Sequence, residues 1–384
     1  MRIGLVSDTY TPQVNGVTTV VRRIAALLRA RGHEAVVVAP RYPTASGATD
    51  ERELRVPSVA FPLYPEIRLS LPRLKPVAAF LDRFEPELVH VHTEGALGAA
   101  GRRYALRRGV PLVTSFHTNF PQYSRDYGVG LLAPAVWRWL QWFHKPARLT
   151  LTPGEAVRDE LTRRGITQAA LWGRGVDATF FHPARRHPSW RRWLAGGDET
   201  VIVLHVGRLA REKNLDVLID AWERAHEALG PRATFVVAGE GPLTPRIALR
   251  LPFVRQLGFL PREDLATLYA SADLCVFPSL TETCGLVALE AMASGVPVIA
   301  ADAGGFRENV RSGTTGYLVP GSDPAGYASA ITELVSDGGR RFLLAAAARE
   351  HALSRDAGRE DAELLDYYAT LAIPRDRRIA TCAA

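Results

Sequence analysis

The chain has 384 residues, of which 47% are hydrophobic and 23% charged, a composition typical of a soluble globular protein with two domains. No apolar run approaches the roughly 18 residues that span a bilayer, no signal segment precedes the first strand pattern, and the three cysteines lack metal-binding spacing. We therefore expect reduced thiols and a cytoplasmic location. Residues 1–184 hold 24 basic and 15 acidic residues, against 23 and 25 in 185–384. This basic excess predicts an acidic partner such as an anionic membrane, unless it is only an Arg-rich solvated surface.

Short apolar runs alternate with helical patterns through the first half of the chain. Continuous apolar strands separated by helices are typical of a parallel sheet covered on both faces. Residues 1–182 are therefore predicted to form a doubly wound α/β domain. Its predicted strands are Arg2–Ser7, Ala35–Ala39, Leu88–Val91, Leu112–Ser115 and Leu149–Thr152, and its first helix is Val17–Ala30.

The alternation of strand and helix patterns stops at residues 183–199, which are rich in Arg, His, Pro and Trp and are interpreted as a linker. It resumes over 200–355, which predicts a second doubly wound domain. Because ligands of such domains bind at the carboxyl ends of the strands, we expect a cleft between the two sheets. The predicted elements are strands Val201–Val206, Thr234–Ala238, Asp273–Phe277 and Val296–Ala300 and helix Asn214–Leu229, followed by a helical stretch over 324–371.

Two glutamates eight positions apart mark the loop and helix after the Asp273–Phe277 strand. Glu282 falls in the loop, and Glu290 falls on a helix that begins beside Gly285 and Leu286. A helix N-terminus favours phosphates and hydroxyl-rich ligands. The spacing alone is more typical of an ordinary surface helix, but the flanking strands favour a ligand site.

Two cations follow the first strand of the second domain. Arg208 offers a planar fork and Lys213 a compact charge, which together suit a pyrophosphate. Lysine is otherwise rare here, since the chain has only two more. Gly241, in the next Gly-rich crossing, and Gly16, at the start of the first helix, permit close approach of backbone N–H groups to phosphate. Each glycine alone is equally consistent with a turn.

His117 ends a strand of the first domain, where an imidazole can donate to a substrate hydroxyl or stabilise developing charge. His90, His92 and Glu94 end another strand, but no metal spacing emerges and no metal site is predicted.

An aromatic and basic segment over 129–146 contains Trp137, Trp139 and Trp142 and follows Tyr123. Such a helix suits an interfacial membrane contact or a lipid acceptor, and it suits equally a Trp-rich packing face.

The motifs together resemble, over nearly the whole chain, those of the retaining family 4 glycosyltransferases, whose GT-B fold places two Rossmann-like domains around a cleft. The segments SDTYTPQVNGV, SFHTNFPQY and LWGRGVDATFFHP are most similar to bacterial GDP-mannose-dependent α-mannosyltransferases and sulfolipid-type enzymes that glycosylate lipids. In that fold a C-terminal helix, here within 356–384, crosses back to the first domain. One departure is Cys284, where many members carry Phe. The motifs that carry the resemblance are Gly16, Phe116-His117, Arg208 with Lys213, Gly239–Gly241 and Glu282 with Glu290.

The resemblance implies a role for each matching position. Arg208 and Lys213 would hold the donor pyrophosphate with help from the backbone at Gly16. Glu290 would bind the ribose, Glu282 the sugar hydroxyls, and His117 would lie beside the reacting carbon. The amides after Glu282, including those of Gly285 and Leu286, would assist.

The resulting expectation is a metal-independent hexosyltransferase that moves mannose from GDP-mannose to a lipid or glycolipid with retained configuration. Its co-substrate is a nucleotide-sugar, no other cofactor or nucleic acid is expected, and peripheral attachment to the inner face of the membrane is left open. The alternatives are a UDP-hexose-dependent glucosyl- or galactosyltransferase and a UDP-sugar 2-epimerase of the same fold. The epimerase would need an acid/base pair of carboxylates that the first domain does not offer.

Overall fold

The computed structural model describes residues 1–13, 15–43, 51–61, 64–70, 74–117, 133–172, 175–195 and 199–373. The chain divides into two compact units. The first contains the described residues up to Trp172 together with those from Asp361 onward, and the second runs from Gly175 to Glu360 among the described residues. The unit boundary therefore falls once near residue 173 and once inside the last helix.

The first unit is built on a parallel sheet with the strand order β3–β2–β1–β6–β7–β8–β9, and β4 and β5 form a separate antiparallel pair. Its strands are β1 (Arg2–Val6), β2 (Glu34–Pro40), β3 (Glu53–Val56), β4 (Ser58–Phe61), β5 (Tyr64–Ser70), β6 (Leu88–Val91), β7 (Leu112–Ser115), β8 (Leu149–Thr152) and β9 (Ala169–Leu171). Its helices are α1 (Gly16–Ala30), α2 (Leu74–Phe84), α3 (Ala96–Arg108), α4 (Ala133–His144) and α5 (Glu155–Arg163).

Helix α1 illustrates why these segments fold as they do. Its buried side chains recur at helical spacing from Thr18 to Leu28, so one face packs on the sheet. Asn15 caps its first turn, where its side-chain oxygen accepts a hydrogen bond from the Thr18 backbone N–H at 2.8 Å. The strands β1 and β2 are buried on both faces, which explains their continuous apolar sequences.

The second unit has a parallel sheet in the order β12–β11–β10–β13–β14–β15. Its strands are β10 (Val201–Val206), β11 (Ala233–Ala238), β12 (Arg255–Gln256), β13 (Leu274–Phe277), β14 (Val298–Ala301) and β15 (Gly316–Val319). Its helices are α6 (Pro188–Ala195), α7 (Leu215–Leu229), α8 (Thr244–Arg250), α9 (Arg262–Ser271), α10 (Leu286–Ala293), α11 (Phe306–Asn309), α12 (Pro324–Ser336) and α13 (Gly338–Ser354), and α14 (Ala357–Leu371) carries the chain into the first unit. Both units are thus doubly wound α/β structures, as the sequence predicts.

The stretch 183–199 differs from the expected linker. It contains α6, which belongs to the second unit and buries Leu194 and Arg191. The Arg191 guanidinium donates to the Asp273 carboxylate and to the Ser271 carbonyl, both at 2.8 Å. The composition suggested a linker, but this arginine is paired inside the unit and the helix packs beside it.

Candidate active site

The second unit reverses its strand order between β10 and β13. Strands are added outward from β10 through β11 to β12, and outward from β13 through β14 to β15. At such a switch point the loops after the two central strands diverge and leave a crevice at the carboxyl ends. The loops concerned are residues 207–214 and 278–285, which contain the predicted cations and Glu282.

The loop after β10 is held to the loop after β13 by direct hydrogen bonds. Ser279 Oγ and Thr281 Oγ1 donate to the Glu212 carbonyl at 3.3 and 3.1 Å. Asn214 adopts a left-handed backbone conformation with φ of 56°, and its side-chain amide donates to the Pro278 carbonyl at 3.1 Å. Asn214 was predicted only as the start of a helix, and its left-handed conformation has no sequence signal beyond the residue type.

Lys213 and Glu282 form an ion pair across these two loops. The Lys213 ammonium donates to Oε1 of Glu282, and both side chains are largely buried. Arg208 lies on the same loop as Lys213, is more exposed, and has its guanidinium 3.8 Å from the Glu212 carboxylate. Two residues predicted to bind one ligand are therefore in contact, although 69 positions separate them in the chain.

Gly241 is required by close backbone packing beside the same loop. A Cβ at this position would lie 2.4 Å from the Leu209 carbonyl oxygen, and a Cβ at Gly239 would lie 2.0 Å from that of Gly207. These contacts bring the loop after β11 against the loop after β10. The need for glycine at both positions is thus explained by packing within the unit.

The loop that carries Glu282 is fixed through its backbone. The Glu282 carbonyl accepts from the Gly305 N–H at 2.7 Å, and the Cys284 carbonyl accepts from the Asn309 side-chain amide at 2.7 Å. Gly285 caps α10 with a left-handed φ of 65°, and Leu286, the first residue of the helix, is half-buried against the core. The structure therefore pins the backbone around Cys284 independently of its side chain.

Glu290 lies on α10 in surroundings that disfavour its charge. Burial raises the pKa of its carboxyl to about 7, although the Arg262 guanidinium and the Tyr269 hydroxyl act in the opposite direction. Arg262 itself lies 3.7 Å from the Asp177 carboxylate and stacks over the Phe180 ring at 4.1 Å. A carboxyl with such a pKa is half-ionised near neutrality, which is typical of functional sites.

His205 is the penultimate residue of β10 and is buried. It was not selected as a site residue from the sequence. Its Nδ1 donates to the Val276 carbonyl at 2.8 Å, and no described residue is a partner of its Nε2. Burial lowers its pKa to about 4, so the ring is neutral near pH 7. Its position in an apolar strand gave it the appearance of a core residue.

In the first unit, Gly16 is the first residue of α1 and is exposed. Apart from its chain neighbours and its own helix, no atom of the described residues lies within 4 Å of the position that its Cβ would occupy, and its φ is not left-handed. Packing inside the unit therefore does not require glycine here, in contrast to Gly241.

His117 follows β7 and is 8% exposed. Its Nε2 lies 3.2 Å from Nδ1 of His92, which follows β6. Nearby, Asp8 caps the N-terminus of α3 by accepting from the Leu97 and Gly98 N–H groups at 2.8 and 3.1 Å. Burial raises the pKa of Asp8, and this cap was not predicted from the sequence.

The tryptophans of α4 lie in two different environments. Trp139 and Trp142 are 42% and 46% exposed and stack with ring centroids 4.7 Å apart, whereas Trp137 is only 7% exposed and packs with Phe116. The sequence analysis grouped all three as contact residues, but helical spacing turns Trp137 toward the core. Tyr123, the fourth predicted contact, lies outside the described residues.

The described residues contain neither a membrane-spanning helix nor a cluster of metal-binding side chains. None of the helices in the described ranges is both long and apolar enough for a bilayer span. Within the same residues, no three His, Cys, Asp or Glu side chains are grouped as a metal ion would need.

Comparisons with known proteins show the class to which this chain of two doubly wound units belongs. The model for Glycosyltransferase Family 4 matches residues 14–180 and that for Glycosyl transferases group 1 matches residues 200–337. The chain is 35% identical to a GDP-mannose-dependent alpha-mannosyltransferase of Mycobacterium tuberculosis over all of this chain and 99% of that protein. The chain belongs to glycosyltransferase family 4.

More distant proteins share the architecture. An alpha-monoglucosyldiacylglycerol synthase of Streptococcus pneumoniae is 27% identical over 78% of this chain and 71% of its own length. The crystal structure of HepE from Anabaena in complex with UDP superposes with a TM-score of 0.78 at 22% identity, covering 97% of this chain and all of that one. The latter similarity confirms the predicted fold.

Proposed function

We propose that this glycosyltransferase moves mannose from GDP-mannose to a lipid or glycolipid acceptor, with retained configuration and without a metal ion. The observation that carries the proposal is the Lys213–Glu282 ion pair between the two loops at the switch point, with Arg208 on the same loop. The choice of GDP-mannose is supported by the similarity to the mycobacterial mannosyltransferase.

The two cations act on the leaving group. As the bond between the sugar and the pyrophosphate breaks, negative charge grows on the phosphate oxygens, and Lys213 and Arg208 stabilise it. Their charge supplies the compensation that a metal ion would otherwise provide. The acceptor hydroxyl attacks the anomeric carbon from the face that the nucleotide leaves, and its proton passes to the departing phosphate oxygen.

Glu282 and Glu290 act on the two ends of the donor. We assign Glu282 to the sugar hydroxyls and Glu290 to the ribose. The amides of Gly285 and Leu286 assist at the start of α10. An ionised Glu290 accepts stronger hydrogen bonds from ribose hydroxyls than its neutral form, so donor binding and the protonation of Glu290 are coupled.

The first unit contributes Gly16 and His117 to the proposal. The backbone N–H groups at the start of α1 bind phosphate oxygens, and the open space over Gly16 permits the close approach that this requires. His117 donates a hydrogen bond to the sugar near the reacting carbon.

The lipid acceptor is supported by the exposed face of α4. Trp139 and Trp142 present aromatic surface, Arg102 lies 3.8 Å over the Trp142 ring, and Arg138 and Lys145 are exposed on the same segment. Aromatic rings flanked by cations favour the interface of an anionic membrane. The similarity to an alpha-monoglucosyldiacylglycerol synthase gives further support for a lipid.

Donor binding tests the assignment of the second unit. In a thermal-shift titration, GDP-mannose should raise the melting temperature of the wild type, and Lys213→Ala should weaken the apparent affinity at least about tenfold, since one charge-assisted contact is lost. Arg250→Ala, which removes an exposed arginine paired with Glu223, is the matched control and should bind normally. If UDP-hexoses raise the melting temperature and GDP-mannose does not, the donor is a UDP-sugar. Unchanged affinity in Lys213→Ala would reject the site.

A further inference from the structure

Three imidazole rings follow one another in the first unit, and only the last has so far been given a role. The centroids of His90 and His92 are 3.8 Å apart, and those of His92 and His117 are 5.5 Å apart with nearly parallel planes. His90 and His92 are fully buried, and His117 is the most exposed of the three. His90 lies within β6, His92 follows the end of that strand, and His117 follows the end of the neighbouring strand β7.

The inner end of this row is held by hydrogen bonds. Nδ1 of His90 lies 2.6 Å from the Tyr368 hydroxyl on α14, and its Nε2 lies 2.7 Å from Ser115 Oγ. Both nitrogens of His90 therefore have partners, so this ring is fixed in orientation. Because the His92 ring stacks on it, His92 is confined as well.

His92 carries a single ring proton. Burial lowers its pKa to about 3, so the neutral imidazole is the only form present near neutrality. Its Nδ1 lies 3.2 Å from Nε2 of His117, whereas its Nε2 has no partner among the described residues. The position of the one proton decides which atom is left without a partner.

The two tautomers of His92 differ in cost. With the proton on Nδ1, His92 donates to His117, and the atom without a partner is an acceptor nitrogen. With the proton on Nε2, a buried N–H donor would have no acceptor, and such donors are rarer in proteins than underused acceptors. The first tautomer is favoured, and Nε2 of His117 then accepts the hydrogen bond.

We propose that His92 is a positioning residue that donates from Nδ1 to Nε2 of His117 and thereby keeps the ring proton of neutral His117 on Nδ1. The His117 ring then presents Nδ1 as a hydrogen-bond donor rather than an acceptor. This inference rests on the proposed function, which gives His117 the task of donating to the sugar. It adds a residue whose side chain acts only through another one.

Two amide substitutions separate this role from simple filling of space. The asparagine amide nitrogen is as many bonds from Cβ as Nδ1 of histidine, whereas the glutamine amide reaches toward the position of Nε2. His92→Asn can therefore still donate to His117, and His92→Gln is its matched control. We expect kcat for sugar transfer to stay within about threefold of wild type in His92→Asn and to fall about 10²-fold in His92→Gln.

Ring nitrogen signals of uniformly 15N-labelled protein give the second readout. Long-range 1H–15N correlations at neutral pH should place the His117 proton on Nδ1 in the wild type and in His92→Asn, with loss of that preference in His92→Gln. The His117 signals are identified by their absence from His117→Ala. A wild-type proton on Nε2, or equal activity of the Asn and Gln variants with matching melting temperatures, would overturn the proposal.

The same experiment separates this inference from the proposed function. If His117→Ala retains full transfer activity, the role of His117 in the reaction fails, and the positioning proposal fails with it as a statement about catalysis. If His117→Ala is impaired but the His92 variants show no change in His117 tautomer, only the positioning proposal fails.

Discussion

Glu290 is the residue whose protonation most directly links stability to ligand binding. Its pKa of about 7 in the folded protein lies above the ordinary value of 4.5 for a glutamate. The folded state therefore holds a proton that the unfolded state has already lost between these two values. The contribution of this proton to the free energy of unfolding is complete below about pH 4.5 and is lost as the pH rises to about 7.

Glu290→Gln should remove this dependence. Between about pH 5 and about pH 8 the wild type should lose stability relative to the variant, as measured by the free energy of unfolding in urea. The affinity of the wild type for GDP-mannose should rise through the same range, while that of the variant should stay flat. Parallel curves for the two proteins would show that Glu290 does not titrate there.

Gly16 and Gly285 form a matched pair for a second prediction. Ala at Gly285 must adopt a left-handed φ of 65° with its Cβ 3.1 Å from Asn309, so Gly285→Ala should cost about 1–2 kcal/mol of stability. Gly16→Ala meets no neighbour and should unfold like the wild type. If donor phosphate approaches the α1 backbone, Gly16→Ala should nevertheless raise the Kd for GDP-mannose. Normal donor binding by this variant would remove Gly16 from the site.

For individual residues, the sequence predicted which side chains could bind a ligand better than it predicted which residues those side chains contact. The rarity of lysine and its position after a strand singled out Lys213, but its pairing with Glu282 depends on strand order, which no local pattern encodes. His92 was considered only as part of a metal site and was set aside because the spacing did not fit one. The partners of its two ring nitrogens, like those of His205, are visible only in the structure.

Among the elements, α4 shows the clearest separation between a buried face and an exposed aromatic face. Its core side fills space with Trp137, and its exposed side presents Trp139 and Trp142. The aromatic sequence was ambiguous between packing and membrane contact, and the structure shows packing on one face while the other face is exposed. Only the helical register assigns individual tryptophans to one or the other.

The double variant Trp139→Ser/Trp142→Ser should sediment less with anionic vesicles than the wild-type protein, because aromatic surface at the interface is lost. Trp193→Ser, which removes an exposed tryptophan of the second unit, is the control and should sediment like the wild type. Trp137→Ser should instead lower the melting temperature. Equal vesicle binding by the double variant and the wild type would show that the exposed face of α4 does not contribute to membrane binding.

Helix α6 shows how a polar sequence misled the prediction. Arg191 is only 2% exposed and reaches Asp273, Ser271 and Thr200 with its guanidinium. Composition alone would count such a residue as solvated, although these three contacts are internal. The segment was interpreted as a linker from its composition, so the helix was missed.

Arg191→Ala should reduce the free energy of unfolding by about 2–3 kcal/mol, since buried acceptors lose a charged partner. Asp273 keeps Arg186 and the Ile202 N–H as partners, which limits the loss. Arg192→Ala, at the exposed neighbouring position, should change stability by less than about 0.5 kcal/mol. Similar urea midpoints for the two variants would contradict this account of α6.

For the whole molecule, the alternation of strands and helices was sufficient to predict two doubly wound units. The strand order was not, and it is the strand order that brings residues 207–214 beside residues 278–285. Sequence motifs therefore identified the class of enzyme, while topology explains why residues far apart in the chain meet at the switch point.

The central claim is that this chain transfers mannose from GDP-mannose to lipid through Lys213. The direct measurement is the incorporation of label from GDP-[14C]mannose into diacylglycerol in anionic mixed micelles with EDTA present, followed by the anomeric configuration of the product by NMR. The account predicts an α-linked labelled lipid from the wild type and a loss of about 10²–10³-fold in Lys213→Ala. Full activity of Lys213→Ala, or complete inhibition by EDTA that added metal reverses, would contradict it.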